Sequence, residues 1–284
     1  MRVRFAWPLL AVVLVAGCAS AADDAAPTAP TALGRDVAPG VTGTLTPPPA
    51  PGSAPLVVLV PGGRWLSADP TGLMPLAEAL ADAGAAAATI TYRTASDEAY
   101  FPQPARDVAC GTAWAAARAG EDGYPPTEVV LVGHSAGATL AALAALAPED
   151  LGSHECPYPP VQADRLVGLA GPYDVVQVAD VAVDLFGPQR PDPQTWAVGN
   201  PVTKGDRRPD VAVLLVHGRD DDVVPLASSG AFADALEAGG HAVTTRWLDG
   251  IDHQSVYAAD VAGPLIVDWL GLEATGASGR TEAP

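Results

Sequence analysis

The stretch "VVLVGHSAGATLAAL", residues 129–143, joins an apolar run to a glycine-flanked serine and then to a series of small residues. The apolar run is typical of a buried strand, and the small-residue series favours a helix. The pentapeptide Gly133-His134-Ser135-Ala136-Gly137 therefore lies at a strand-turn-helix junction, with the serine beside the helix N-terminus. Ser135 is either a nucleophile held on a sharp turn or a chance serine between two glycines, and the rest of the chain must decide.

Strand-like and helix-like segments alternate on both sides of this stretch. The β-rich runs are residues 41–46, 55–63, 85–93, 128–135, 165–174, 211–218 and 242–250. The helical runs are residues 74–84, 104–120, 137–148, 225–240 and a final run near 261–272. Near-continuous apolar strands that alternate with helices predict a doubly wound α/β domain, in which a mostly parallel sheet carries helices on both faces.

Residues that could take part in catalysis follow several of these strands. Gly62 and Gly63, Ser135, Asp221 and His253 each come just after a predicted strand. Ligands of open parallel sheets bind beyond the carboxyl ends of the strands. We therefore expect these residues to meet at one edge of the sheet.

A serine hydroxyl is a weak nucleophile and needs a base. Of the five histidines, only His253 stands in the loop after the last predicted strand, where a base is expected. An acid must hold the imidazole in the correct tautomer. The stretch "VHGRDDDVVP", residues 216–225, offers Asp220, Asp221 and Asp222, although a run of charges is more often a solvated loop. The chain order Ser, Asp, His is that of the α/β-hydrolases.

With these motifs, the chain resembles the α/β-hydrolases of the esterase/lipase group over residues 50–272. It is most similar to the bacterial acetyl-esterase and feruloyl-esterase-like enzymes. The family pattern "HG-x-x-D-x-x-VP" matches this chain from His217 to Pro225. That match selects Asp221 as the acid, with Asp222 as the second candidate. The resemblance implies an α/β-hydrolase fold with a small cap, placed at about residues 175–209, and no metal or organic cofactor.

The resemblance also implies an oxyanion hole formed by the N–H groups of Gly62, Gly63 and Ala136. One position departs from the family, which typically has His-Gly-Gly-x-Trp where this chain has Pro61-Gly62-Gly63-Arg64-Trp65. The glycines are kept, but a residue without an N–H replaces the histidine. Arg64 is unusual there, and either an anionic substrate group or solvent would account for it.

Charge and the N-terminal residues bear on location and partners. The 15 basic and 33 acidic residues give a formal charge of −18, which argues against nucleic-acid binding. Residues 1–17 read as a signal peptide with a basic n-region and an apolar h-region. "VAGC" resembles a bacterial lipobox, so we expect acylation of Cys18 and anchoring to the membrane of the cell envelope. Residues 18–35 read as a flexible tether and residues 273–284 as a disordered tail.

Two further cysteines, Cys110 and Cys156, are expected to form a disulfide, because an exported protein meets an oxidising compartment. Two buried thiols are the alternative interpretation.

Taken together, these residues predict a serine esterase that acts on a small-molecule carboxylic ester. An amidase or peptidase that uses the same three residues, or a non-catalytic binding lipoprotein on the same scaffold, are the alternatives.

Overall fold

A single eight-stranded sheet forms the centre of the molecule. The structure is a computed structural model that describes residues 35–152, 155–187 and 193–272. The strands are β1 (Arg35–Ala38), β2 (Val41–Thr46), β3 (Ala54–Val60), β4 (Ala86–Ile90), β5 (Pro126–His134), β6 (Arg165–Leu169), β7 (Ala212–Gly218) and β8 (Val243–Leu248). The helices in these ranges are α1 (Met74–Asp82), α2 (Gln103–Glu121), α3 (Ala136–Leu146), α4 (Val183–Phe186), α5 (Pro193–Val198), α6 (Leu226–Ala238) and α7 (Ala259–Leu270).

The strand order is β1-β2-β4-β3-β5-β6-β7-β8. Strands β3 to β8 pair in parallel, whereas β2 runs antiparallel to β4 and β1 antiparallel to β2. The predicted α/β fold with a mostly parallel sheet is confirmed. The carboxyl ends of β3, β5, β7 and β8 consequently share one edge of the sheet, which is where Gly62, Ser135, Asp221 and His253 follow them.

Alternating residues of each central strand contribute side chains to two apolar layers, one on each face of the sheet. In β3, Leu56 and Val58 pack on the side of α2, α3 and α6, and Val57 and Leu59 pack on the side of α1 and α7. Side chains of successive strand residues point to opposite faces, so a strand covered on both faces must be apolar throughout. This is why β3 reads "APLVVLV" with no polar residue.

Two local features differ from the expectations or extend them. Strand β1 was not predicted, and it begins at Arg35, a residue assigned by the sequence to the tether. The segment predicted as a cap holds the short helices α4 and α5.

No helix of the described residues is both long and apolar enough to cross a membrane. Cys18, the signal peptide and the tail lie outside the described residues.

Cys110 of α2 is joined to Cys156 by a disulfide, with their Cα atoms 5.6 Å apart. Cys156 belongs to the connection between α3 and β6. The bridge therefore links a helix on one face of the sheet to a long connection, whose described residues between Leu151 and Arg165 form no helix or strand.

Candidate active site

Ser135 stands on a strained turn between β5 and α3. Its backbone has φ 51° and ψ −123°, a conformation rarely adopted by residues with a side chain. The turn brings neighbouring segments so close that only glycine fits two positions before and two positions after the serine. A Cβ on Gly133 would lie 2.5 Å from the Ala138 Cα, and one on Gly137 would lie 2.4 Å from the Pro61 oxygen. The two glycines therefore make the turn sterically possible.

Three of the predicted residues form a continuous hydrogen-bonded chain. The Ser135 Oγ is 2.9 Å from His253 Nε2, and His253 Nδ1 is 2.8 Å from Asp221 Oδ2. The carboxylate can only accept, so Nδ1 carries the proton and Nε2 accepts from the serine hydroxyl. This tautomer leaves Nε2 ready to take up the Ser135 proton. His253 is buried and cannot turn away from either partner without losing a hydrogen bond.

Of the three consecutive aspartates, Asp221 alone has this position. Its side chain is 1 % exposed, while Asp220 and Asp222 are exposed residues. Oδ1 of Asp221 accepts the backbone N–H groups of Val223 at 2.9 Å and Val224 at 2.8 Å. Burial by itself raises the pKa of Asp221, but these two N–H groups and His253 outweigh it, and the pKa lies below its ordinary value. The carboxylate is therefore charged at neutral pH.

The predicted oxyanion donors surround the serine. Among the described residues, the N–H groups of Gly62, Gly63 and Ala136 have no protein acceptor. Ala136 is the first residue of α3, where N–H groups are left without intrahelical partners. Gly62 lies close to the nucleophile, since a Cβ there would be 3.0 Å from the Ser135 Cβ. Gly62 and Ala136 are therefore neighbours of the nucleophile, and Gly63 lines the same cavity as Ser135.

Pro61 does not disturb this loop, because other residues hold it. The buried Tyr92 hydroxyl donates to the Pro61 carbonyl at 3.0 Å. Burial raises the pKa of Tyr92, so this hydroxyl keeps its proton. The buried Trp65 anchors the far end of the loop, and its carbonyl accepts the Ala95 N–H at 2.9 Å.

A cavity of about 430 Å³ opens above Ser135 and His253. Most of its other side chains are polar. The wall includes Arg64, Ser67, Asp69, Leu73, Val223, Gln254 and Tyr257. Ser135 lines this cavity together with His253, so the nucleophile is reached from it.

Arg64 reaches from the oxyanion loop to the cap, where its Nε donates to Asp184 Oδ2 at 3.0 Å. The guanidinium is thus bound to a protein carboxylate, although its side chain is still 60 % exposed. The cap aromatics Phe186 and Trp196 pack against each other, with ring centroids 4.6 Å apart.

A second histidine touches the base. The buried His134 places Nε2 at 3.0 Å from the His253 carbonyl, to which it donates, and its ring packs on Tyr257 at 4.4 Å between centroids. Burial above all, together with the nearby His253, lowers the pKa of His134 to about 3. His134 is therefore neutral and holds the main chain of His253 in place.

Sequence reasoning did not assign roles to His134, Tyr92, Gln254 or Tyr257. His134 belongs to the quoted pentapeptide, and Tyr92 lies in the predicted strand 85–93. Gln254 and Tyr257 follow the base directly in "DHQSVY", residues 252–257, and this adjacency is the one signal that would have found them.

Comparison with known proteins finds relatives among esterases. The chain is 30% identical over 202 residues to the probable carboxylic ester hydrolase LipM of Mycobacterium tuberculosis, covering 65% of this chain and 45% of LipM. It is 30% identical over 249 residues to esterase LipQ of the same organism, covering 78% of this chain and 56% of LipQ. The chain thus spans about half the length of the curated relatives it matches.

Solved structures share the fold at lower identity. A truncated carbohydrate esterase from gut microbiota superimposes with a TM-score of 0.71 at 18% identity, over 81% of this chain and 89% of that one. A thermophilic esterase from Thermogutta terrifontis, with propionate bound, gives 0.67 at 20% identity, over 81% and 88%. The family model BD-FAE matches residues 44–236, which include the oxyanion loop, Ser135 and Asp221. The chain belongs to the BD-FAE family.

Proposed function

We propose that this protein is a serine hydrolase that cleaves carboxylic esters through an acyl-enzyme. One observation carries the proposal: the Ser135–His253–Asp221 chain of hydrogen bonds stands beside three backbone N–H groups that have no acceptor within the described part of the chain. A nucleophile, a base, an orienting acid and an oxyanion site are the parts that acyl transfer requires. The names of the curated relatives, which are esterases, support the same reaction.

In the first half of the reaction, Ser135 Oγ attacks the ester carbonyl while His253 Nε2 takes the hydroxyl proton. The carbonyl oxygen becomes an oxyanion and is stabilised by the N–H groups of Gly62, Gly63 and Ala136. Asp221 stabilises the imidazolium but stays ionised. His253 then gives its proton to the leaving alkoxide, the C–O bond breaks, and the alcohol departs.

In the second half, water replaces the alcohol. His253 takes a proton from the water as its oxygen attacks the acyl carbon, and a second oxyanion occupies the same N–H groups. Collapse returns the proton to Ser135 Oγ and releases the carboxylic acid. Every proton transfer uses His253 Nε2, and no step requires a metal ion or organic cofactor.

The cavity favours esters of small, polar molecules. Its 430 Å³ volume suits a small ligand, and its wall presents Ser67, Asp69, Gln254 and Tyr257 to the substrate.

The test combines active-site labelling with an ester panel. Folded wild-type protein should react with a fluorophosphonate at Ser135 and hydrolyse p-nitrophenyl esters, fastest with short acyl chains. Ser135→Ala and His253→Ala should lose both activities, with kcat lowered by at least about 10⁴-fold. Ser53→Ala is the matched control: this exposed serine precedes β3 at the opposite edge of the sheet, and both activities should be unchanged.

Two outcomes would contradict the proposal. Faster cleavage of p-nitroanilides than of matched p-nitrophenyl esters would make the protein an amidase. Folded wild-type protein that neither labels nor cleaves any activated ester would be a non-catalytic binding protein.

We also propose that the exported protein is anchored through lipid on Cys18. The basic n-region and the "VAGC" sequence support this. Mass spectrometry of the mature protein from a bacterial membrane fraction should find a lipid-modified N-terminal Cys18. An unmodified Cys18, or cleavage at another bond, would refute the anchor.

A further inference from the structure

A third histidine, His217, lies beside Asp221 and contacts the same carboxylate oxygen as His253. It is the penultimate residue of β7 and is completely buried. In the sequence it is the first residue of the family pattern that selected Asp221. Its Nε2 is 3.1 Å from Asp221 Oδ2, the oxygen that also contacts His253 Nδ1. Asp221 Oδ2 is thus flanked by two imidazoles.

The surroundings of His217 settle its tautomer. Nε2 faces two acceptors, the Val224 carbonyl at 3.0 Å and Asp221 Oδ2, so this nitrogen must carry the proton. Nδ1 is 2.8 Å from the Ser229 Oγ of α6 and accepts the hydroxyl proton. Burial lowers the pKa of His217, which keeps the ring neutral, with one donor and one acceptor.

Hydrogen bonds hold both the N–H and the carbonyl of Val224, which lies in the loop that carries Asp221. The Val224 N–H donates to Asp221 Oδ1, and the Val224 carbonyl accepts from His217. The loop that carries the acid is therefore tied to strand β7 through His217 and, through Ser229, to helix α6. A carboxylate that is 1 % exposed has little water to orient it, so its rotamer depends on such contacts.

We propose that His217 is a positioning residue for Asp221, so that the functional chain runs Ser229–His217–Asp221–His253–Ser135. This inference rests on the proposed ester hydrolysis. His217 touches neither substrate nor Ser135. It acts through Asp221: its Nε2 lies 3.1 Å from Oδ2, and its hydrogen bond to the Val224 carbonyl fixes the residue whose N–H donates to Oδ1, which keeps the carboxylate from turning.

The first measurement is steady-state hydrolysis of a p-nitrophenyl ester by variants of the full chain. His217→Leu removes the donor to the Val224 carbonyl and the imidazole beside Oδ2, and kcat should fall about tenfold, the size expected for the loss of one hydrogen bond, while KM stays within about twofold. His217→Gln keeps an N–H near the Nε2 position and should recover most of the loss. Ser229→Ala removes the Nδ1 partner of His217 and so loosens the ring, and it should give an intermediate kcat.

The second measurement does not depend on turnover. The Nδ1 proton that His253 shares with Asp221 should give a far-downfield ¹H NMR resonance, assigned by its absence in His253→Ala. This resonance should be lost or strongly broadened in His217→Leu and present in His217→Gln. A residue that only supports the fold would not move it selectively.

His241 supplies the matched control. It is also a buried histidine, and it bonds two backbone carbonyls, those of Val211 and Arg207, away from the acid. His241→Leu should lower the melting temperature but keep kcat and the downfield resonance. Should His217→Leu not fold, His217→Asn, which also lacks the Nε2 donor, carries the same comparison.

The outcomes separate this proposal from the proposed function. A His217→Leu or His217→Asn protein with wild-type kcat and an unchanged resonance overturns the positioning role and leaves ester hydrolysis standing. An inactive wild-type protein whose resonance is lost only in the His217 variants that lack the donor refutes ester hydrolysis and supports the positioning of Asp221.

Discussion

At the scale of single residues, the middle one of three adjacent aspartates lies in a different environment from the other two. Asp220 and Asp222 are exposed, while the Asp221 side chain is buried and receives hydrogen bonds on both oxygens. A buried charge is stable only where donors replace the lost water. The acid of such a site is therefore distinguished from its neighbours by the donors around it, which the letters of a "DDD" run do not reveal.

Asp221→Asn should lower kcat by about 10³–10⁴-fold, because the amide favours the wrong tautomer of His253. Asp220→Asn and Asp222→Asn are the matched controls, and each should change kcat by less than about threefold, within the usual range of exposed substitutions. Since the pKa of Asp221 lies below its ordinary value, the wild-type carboxylate stays charged over the whole pH range of an ester assay. Initial rates from pH 6 to 9 check this. A severe loss in Asp222→Asn with a mild one in Asp221→Asn would contradict the assignment.

At the scale of structural elements, the oxyanion loop keeps its shape without the family's histidine. Arg64 and Trp65 both adopt positive φ, at 57° and 58°, so the loop is strained and must be held from outside. The Tyr92 hydroxyl holds Pro61 at one end, and packing of the buried Trp65 holds the other. The proline is tolerated because the loop is fixed through its carbonyl oxygen, which a proline retains.

Tyr92→Phe tests this support. Removal of the hydroxyl leaves the Pro61 carbonyl without its donor, so we expect kcat to fall about tenfold and the free energy of unfolding to fall by about 1–2 kcal/mol. Tyr124→Phe is the control, since this partly buried tyrosine precedes β5 at the opposite edge of the sheet. Ester kinetics and urea denaturation measure the two effects. Wild-type kcat in Tyr92→Phe would mean that Trp65 and the glycines suffice to hold the loop.

At the scale of the whole molecule, one covalent link spans a long piece of chain. The Cys110–Cys156 bridge closes a loop with a sequence separation of 46 residues that contains β5, the serine turn and α3. Cross-linking a loop of this length restricts the unfolded chain and stabilises the fold by about 2–4 kcal/mol.

The double variant Cys110→Ala/Cys156→Ala should accordingly melt roughly 5–15 °C below the oxidised wild type, as followed by circular dichroism. A thiol reductant should lower the melting temperature of the wild type toward that of the variant. The same reductant should leave the variant unchanged, which makes the variant its own control. An oxidised wild type whose melting temperature ignores the reductant would contradict a stabilising role for the bridge.

Much of this molecule could be predicted from local patterns. Apolar strands alternating with helices indicated the parallel sheet, because covering a sheet on both faces demands apolar residues at every position of its strands. The spacing Gly133-x-Ser135-x-Gly137 indicated the strained turn, since a Cβ at either glycine would collide with backbone. His253 was found by its place after the last strand. Strand β1 was missed because four residues with two exposed positions carry no strong period.

Other features depend on residues far apart in sequence, and only the tertiary structure decided them. The contacts of His134 with the His253 carbonyl, of Tyr92 with Pro61 and of Arg64 with Asp184 join positions 31 to 120 residues apart. No periodicity records such pairs, because each depends on how the sheet brings separate loops to one edge. The sequence by itself determined which residue types reach that edge. The packing of the loops determined which of the three aspartates is buried, which histidines are neutral, and which side chains line the cavity, because burial and hydrogen bonding arise only when the loops meet.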